Sequence, residues 1–274
     1  MPRKYQRKEF IKMTLLANLA WPLRPFAAMA GTQQLVPPGE NVVYYKPGDP
    51  QYETLRKGFN KRIDKHPLII AHCKNTAGVA DAMRYALGAG IAVTVKSGGH
   101  CMEGFSGNNG GMVINVSQLD TVQGLDGNTI KVGPGCLLGN LYEQLLPKGK
   151  IIPGGSCGTV AVGGLVLGGG YGLLSRQLGL TCDSLLEVTM VDGNGQVCSS
   201  ANDPELLWAC KGGGNGNFGV ITELKFAVHK APAIMQSYRF KSHKVDTAKA
   251  KKILAEWFAQ TAMLPTHSFC VRSQ

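Results

Sequence analysis

Gly154-Gly155-Ser156-Cys157-Gly158-Thr159-Val160-Ala161-Val162-Gly163-Gly164-Leu165-Val166-Leu167-Gly168-Gly169-Gly170-Tyr171-Gly172 is the stretch on which the fold turns. Nine of its nineteen residues are glycine. Glycine in a helix interior costs about 1 kcal/mol relative to alanine, so this segment does not read as a stable free helix. Such backbone makes sense where the main chain must lie against a flat group, with no side chains holding it off. The segment carries one strong nucleophile, the thiol of Cys157.

A second glycine frame lies upstream. The β-branched run Ile91 to Val95 leads directly into Lys96-Ser97-Gly98-Gly99-His100-Cys101-Met102-Glu103-Gly104-Phe105-Ser106. A strand that turns into such a loop presents successive backbone N–H groups to an anion, and a diphosphate can come close where side chains are missing. The plain alternative is a tight turn with an incidental histidine. Taken together, an imidazole and a thiol in two close-approach frames point to a cofactor held by two covalent bonds. Cys101, beside His100, competes with Cys157 for the role of reactive thiol.

A third segment is Glu205-Leu206-Leu207-Trp208-Ala209-Cys210-Lys211-Gly212-Gly213-Gly214-Asn215-Gly216-Asn217-Phe218-Gly219-Val220-Ile221-Thr222. Gly214-x-Gly216-x-x-Gly219 matches the spacing of a dinucleotide fingerprint. A helix precedes it and a strand follows, the reverse of the strand–loop–helix context that the fingerprint needs, so an NAD site is rejected.

Around these segments the chain alternates strand and helix patterns. His66 to His72, Gly111 to Val116, Thr129 to Val132, Ser184 to Val191 and Val220 to Val228 read as strands. Thr76 to Gly88 has helical spacing, with Val79, Ala80, Met83 and Leu87 on one face and Gly88 and Gly90 as stops. Leu137 to Leu146 reads as a helix ended by Pro147 and Gly149. After residue 230 the character changes to one strand-like run, Gln236 to Lys241, and one amphipathic helix, Val245 to Gln260.

With 274 residues, 44% hydrophobic and 17% charged, the chain buries a real core and is not a disordered protein. The net charge of +11 does not mark a nucleic-acid binder. Residues 1–30 hold Arg3, Lys4, Arg7, Lys8, Lys12 and Arg24 against Glu9, which leaves +6 spread thinly over the rest. No basic run with interleaved aromatics remains. Lys249, Lys251 and Lys252 read as a solvated helix face. The eight cysteines show no C-x-x-C and no histidine pair, so a zinc site is not supported. Cys73, Cys182, Cys198 and Cys210 lie in apolar runs and read as small core residues.

Residues 1–30 read as an export signal: a basic start, a weakly apolar stretch from Met13 to Ala20, and Ala28-Met29-Ala30 before Gly31. Arg7-Lys8-Glu9-Phe10-Ile11-Lys12 resembles the twin-arginine motif, with lysine in place of the second arginine, and that route carries proteins already folded around a cofactor. The competing reading is an amphipathic N-terminal helix that stays attached. Pro22, Arg24 and Pro25 interrupt the apolar stretch well short of a bilayer span, so no membrane anchor is expected.

The three glycine segments resemble, in order, the berberine-bridge-enzyme-like branch of the vanillyl-alcohol-oxidase (PCMH-type) flavoprotein family. The resemblance implies an α+β fold: a two-subdomain PCMH-type FAD-binding domain, followed by the start of an antiparallel-sheet substrate domain. The expected divisions are the signal at 1–30, a lead-in at 31–65, the FAD-binding domain at 66–230 and an incomplete substrate domain at 231–274. The chain thus reads as a fragment, and the substrate base is expected in the missing part. By resemblance, His100 bonds the flavin 8α-methyl and Cys157 bonds C6. Lys96, Ser97, Gly98, Gly99, Cys101, Gly104, Gly155, Gly158, Thr159, Val160, Gly163, Gly164 and Ile221 are implied as cofactor-binding residues. Val160, three residues after the cysteine, is the type that favours oxygen as electron acceptor. Leu165 and Lys211 depart from the family's histidine and arginine. Tyr171 and Arg176 are expected to pack and to anchor loops. The implied activity is an FAD-dependent oxidase removing hydride from an alcohol carbon of a small-molecule substrate, a sugar or similarly bulky compound, with oxygen or another acceptor. A singly linked dehydrogenase and a non-catalytic flavin-binding remnant are the alternatives.

Overall fold

The computed structural model describes residues 39–236, 241–265 and 268. The export signal expected at 1–30 and residues 237–240 of the strand-like run lie outside the described residues. No described helix is long and apolar enough to cross a membrane.

Two sheets organise the described chain. The first has the order β1 (Val42–Tyr45), β2 (Ile69–Cys73), β4 (Met112–Asn115), β3 (Val93–Lys96). The β2/β4 and β3/β4 pairs are parallel, and β1 joins β2 antiparallel. Every residue of β2 and β4 is buried, as expected of central strands covered on both faces. One cover is α1 (Tyr52–Arg56), whose Tyr52 is buried and donates its hydroxyl to Pro67 O at 2.6 Å. The other is α2 (Thr76–Gly88), with the bounds that the sequence predicts. The Asn75 side chain caps α2 by accepting from Gly78 N–H at 3.0 Å. The helix buries Val79, Ala80, Ala82 and Ala86. Its small residues let it lie close on the strands, while Leu87, read from the periodicity as part of the inner face, is exposed. β1 and α1 come from the stretch expected as a lead-in, so the first sheet reaches back to Val42.

The second sheet is antiparallel throughout, in the order β5 (Val122–Asp126), β6 (Thr129–Val132), β10 (Val220–Ala227), β8 (Leu185–Val191), β9 (Val197–Ser199). Along β10, Thr222, Leu224 and Phe226 are buried while Glu223 and Lys225 stand half-exposed. This period of two lays one face on the core. Leu224 and Phe226 are fully buried, each contributing roughly 1.5–3 kcal/mol. Leu138, Leu141 and Leu145 of α3 (Leu138–Leu145) join the same core.

The glycine-rich stretch does contain a short helix, α4 (Val162–Leu167). Tertiary burial supplies what propensity withholds, since Val162, Val166 and Leu167 enter the core of the second sheet. α5 (Ser175–Leu178) follows. Further on, α6 (Pro204–Cys210), a glycine loop and β10 follow one another as helix, loop and strand, the reverse of the strand–loop–helix order of a dinucleotide fingerprint. A two-residue ribbon pairs β7 (Lys150–Ile151) with β11 (His229–Lys230). The last helix, α7 (Thr247–Met263), has no buried residue. Arg176 of α5 donates to Leu264 O at 3.0 Å and Ser268 O at 3.4 Å beyond its end, an anchoring role of the kind expected.

Candidate functional site

A cleft of about 860 Å³ opens between the two sheets. That volume lies in the ~300–1,000 Å³ range of ligand pockets. One wall is the edge strand β3 and the loop after it, through Ser97, Gly98, Gly99, His100 and Cys101. The opposite wall is the start of α4, through Val160, Ala161, Gly163, Gly164 and Leu165. The third glycine segment completes it from Asn215 to Ile221.

The two walls are tied at the Pro134 carbonyl, which accepts from Ser97 Oγ at 2.6 Å and from Gly163 N–H at 3.0 Å. Gly98 is a requirement of the protein itself. A Cβ there would stand 2.7 Å from Ala161 N and 2.9 Å from Ala161 Cβ. Gly164 is different: it lines the cleft, yet nothing lies within 4 Å of where its Cβ would be. A methyl there would meet no protein atom within 4 Å.

Backbone N–H groups of Gly98, Gly99 and His100 have no acceptor among the described residues, and Gly99 takes a left-handed φ of 68°. Successive free N–H groups around such a turn form an anion-binding concavity. This fits the diphosphate of a dinucleotide, and the open face at Gly164 fits a flat ring.

Thr159 stands beside the cleft, between the two nucleophiles. Its Oγ1 lies 3.0 Å from His100 Nε2 and 3.3 Å from Cys157 Sγ. Phe59 stacks on the other side of the histidine, with ring centroids 4.4 Å apart and planes inclined by 18°. Phe59 N–H donates to Gly99 O at 2.9 Å, which fastens this segment to the loop. On the Cys157 side, Tyr142 Oη donates to Gly155 O at 2.9 Å, and Gly139 N–H donates to Gly158 O at 2.9 Å.

The cysteines separate by environment. Burial pushes the Cys73 thiol up to about 12 and Cys136 up to about 11, and it raises Cys182 and Cys210 as well. Cys157 is exposed and goes the other way: the hydroxyl and then the backbone N–H of Thr159 hold its thiol below the ordinary range. That is the profile of a reactive thiol. Cys101 is half-buried, with Sγ 3.5 Å from Glu103 Oε2. Cys198, read as a core residue, is half-buried and packs against the core of the second sheet.

Of the residues expected to touch a cofactor, Ser97, Gly98, Gly99, His100, Cys101, Val160, Gly163, Gly164 and Ile221 form the cleft wall. Lys96, Gly104, Gly155, Cys157, Gly158 and Thr159 do not; Cys157 reaches the wall residue His100 only through Thr159 Oγ1. The Lys96 amine is buried and donates to Leu55 O and Lys57 O, both at 2.5 Å, with burial and then neighbouring Lys61 lowering its pKa to about 8. Gly104 packs against Ile63, and Gly158 against Gly139. Sequence reasoning passed over Phe59, because a lone phenylalanine between polar residues has no periodic pattern.

Residues 67–200 match the FAD binding domain family. The chain is 38% identical over 189 residues to the FAD-linked oxidoreductase YvdP of Bacillus subtilis, covering 68% of this chain and 42% of that one. The fold superposes on 6-hydroxy-D-nicotine oxidase of Arthrobacter nicotinovorans with a TM-score of 0.67 and 32% identity, over 72% of this chain and 44% of that one. It also superposes on glucooligosaccharide oxidase of Acremonium strictum, which holds a 6-S-cysteinyl, 8α-N1-histidyl FAD, with a TM-score of 0.65 and 31% identity, over 70% and 41% of the two chains. The chain thus spans less than half the length of these relatives.

Proposed function

Because the chain belongs to the FAD-linked oxidoreductases of the berberine-bridge-enzyme-like family, we propose that it holds FAD by two covalent bonds, from His100 to the 8α-methyl and from Cys157 to C6. The activity is that of an oxidase drawing hydride from an alcohol carbon of a sugar or similarly bulky small molecule. The bound flavin supplies the hydride acceptor. The observation that carries the reading is that His100, in the cleft wall, and Cys157, beside it, both meet the hydroxyl of Thr159.

The chain's own groups do the rest. Free N–H groups of residues 98–100 receive the diphosphate. Gly164 leaves room for the ring, and Ile221 and Val160 close the wall around it. Each covalent link replaces an imidazole N–H or thiol S–H and one flavin hydrogen. Dioxygen takes the two electrons and two protons and leaves as hydrogen peroxide. Val160 in the cleft wall supports dioxygen as the acceptor in turnover too. The sugar assignment rests on the likeness to glucooligosaccharide oxidase. In this reading residues 66–230 are the cofactor domain, 231–274 begin the substrate domain, and 1–30 direct export.

Peptide mapping by mass spectrometry of acid-precipitated protein from a flavin-replete host tests this. One flavin bridge through His100 and another through Cys157 are expected, with peroxide released on an oligosaccharide panel. A bridge through His100 alone selects the singly linked dehydrogenase. A colourless precipitate overturns the covalent assignment.

A further inference from the structure

We infer that Thr159 is a positioning residue for both links: its hydroxyl selects the imidazole nitrogen of His100 that is free to bond and makes the Cys157 sulfur ready at the same time. This rests on the covalent reading above and adds to the expected cofactor contact of Thr159 a role that runs through the two nucleophiles it touches.

The argument is one of donors and acceptors. A hydroxyl has one proton to give and two lone pairs to receive with. Thr159 Oγ1 is within bonding distance of Nε2 and of Sγ. A thiolate only accepts, so the hydroxyl donates its hydrogen bond to the sulfur. Oγ1 is then left as an acceptor, and Nε2 must carry the hydrogen that it donates. A neutral imidazole protonated at Nε2 has its lone pair on Nδ1. The chain Nε2–H to Oγ1–H to Sγ therefore leaves nucleophilic the nitrogen that is not held by Thr159, and the sulfur as well. Run in reverse, with S–H donating to Oγ1 and Oγ1–H to Nε2, the same contacts place the hydrogen on Nδ1 and quench both groups. Phe59 keeps the ring plane fixed while this choice is made. The other titratable groups in the cleft wall are Cys101 and Glu103, which face each other. Each link then forms with the balance given above: one N–H or S–H and one flavin hydrogen lost, dioxygen reduced to hydrogen peroxide.

The test uses the full chain from riboflavin-starved cells, as wild type, Thr159→Val and Thr159→Ser. FAD is added across neutral and alkaline pH, the two adducts are followed by peptide mapping, and noncovalent FAD retention reports folding. In the wild type, histidyl and cysteinyl adducts should form with a shared pH profile. In Thr159→Val both should form more slowly, by about tenfold, as for loss of a hydrogen bond to a charged group, and their profiles should separate. Thr159→Ser should restore them. Unchanged adduct rates in Thr159→Val overturn the inference. A second measurement does not depend on flavin chemistry. The rate of iodoacetamide labelling at Cys157 near neutral pH should fall about threefold in Thr159→Val and recover in Thr159→Ser. If the wild type forms no adduct, the covalent reading falls, and the labelling rates still decide whether Thr159 readies the thiol: equal rates in all three chains overturn that role.

Discussion

Phe59 lies nearly flat on His100, 4.4 Å between ring centroids, although the two residues come from different segments and both reach solvent. An aromatic stack contributes about 0.5–1.5 kcal/mol beyond area burial. Half-exposed, this one belongs at the low end. Its use is orientation: the imidazole is held against rotation while its Nε2 faces Thr159.

Replacing Phe59 by alanine should therefore lower the yield of the histidyl adduct several-fold and leave the cysteinyl adduct unchanged. Peptide mapping reads both in one digest. Equal losses at the two sites would show that Phe59 supports the fold and not the ring.

The two glycines of the cleft should behave oppositely. Gly98→Ala drives a methyl into Ala161 and should cost about 1–3 kcal/mol, visible as a lowered thermal midpoint. Gly164→Ala sits in a helix with open space at its Cβ and should stabilise the chain by roughly 0.5–1 kcal/mol. The same methyl projects into the cleft, so FAD retention on a desalting column should fall. A Gly164→Ala chain that is both more stable and fully yellow would remove this glycine from the cofactor site.

Lys96 ties residues 55–57 to the loop through two carbonyls, with its pKa lowered to about 8 from 10.5 by burial first. Between those values the unfolded chain binds a proton that the folded chain does not. Stability should accordingly rise with pH across that window, by at most ~3 kcal/mol. Urea unfolding of wild type and Lys96→Met over this range should differ in slope, the wild type climbing. Parallel curves would mean that the amine does not titrate in this window.

Thiol reactivity should follow environment. In the chain without flavin, iodoacetamide should label Cys157 well before Cys73 or Cys136, whose thiols are pushed up to about 12 and 11 and which are buried. Added FAD should protect Cys157. Early labelling of Cys136 instead would contradict the packing of α3 against the second sheet.

The elements that rest on local signals were legible in the sequence. α2 has its bounds written in its apolar spacing and in the glycines that end it, and the structure adds the Asn75 cap. The buried strands β2 and β4 announce themselves as short apolar runs. The cleft's glycine loops were legible too, because side-chain-free backbone has few uses. β5 and β9 were not: Val122–Asp126 and Val197–Ser199 are short, largely exposed edge strands whose pairing comes from their neighbours. The helix Val162–Leu167 was hidden by its own glycines, since only packing of Val162 and Val166 into the core makes it form.

From the sequence alone came the family resemblance, the two nucleophiles and the order of their frames, because each depends on residue type and near-neighbour spacing. What tertiary structure decided was which atoms meet. Thr159, 59 residues from His100, meets its Nε2 only because the loop after β3 and the turn before α4 are both fastened to Pro134 O. Whether a glycine serves the protein, as Gly98 does, or the cleft, as Gly164 does, was likewise settled in space. A missing side chain has the same letter in both cases, and only the atoms around the absent Cβ tell them apart.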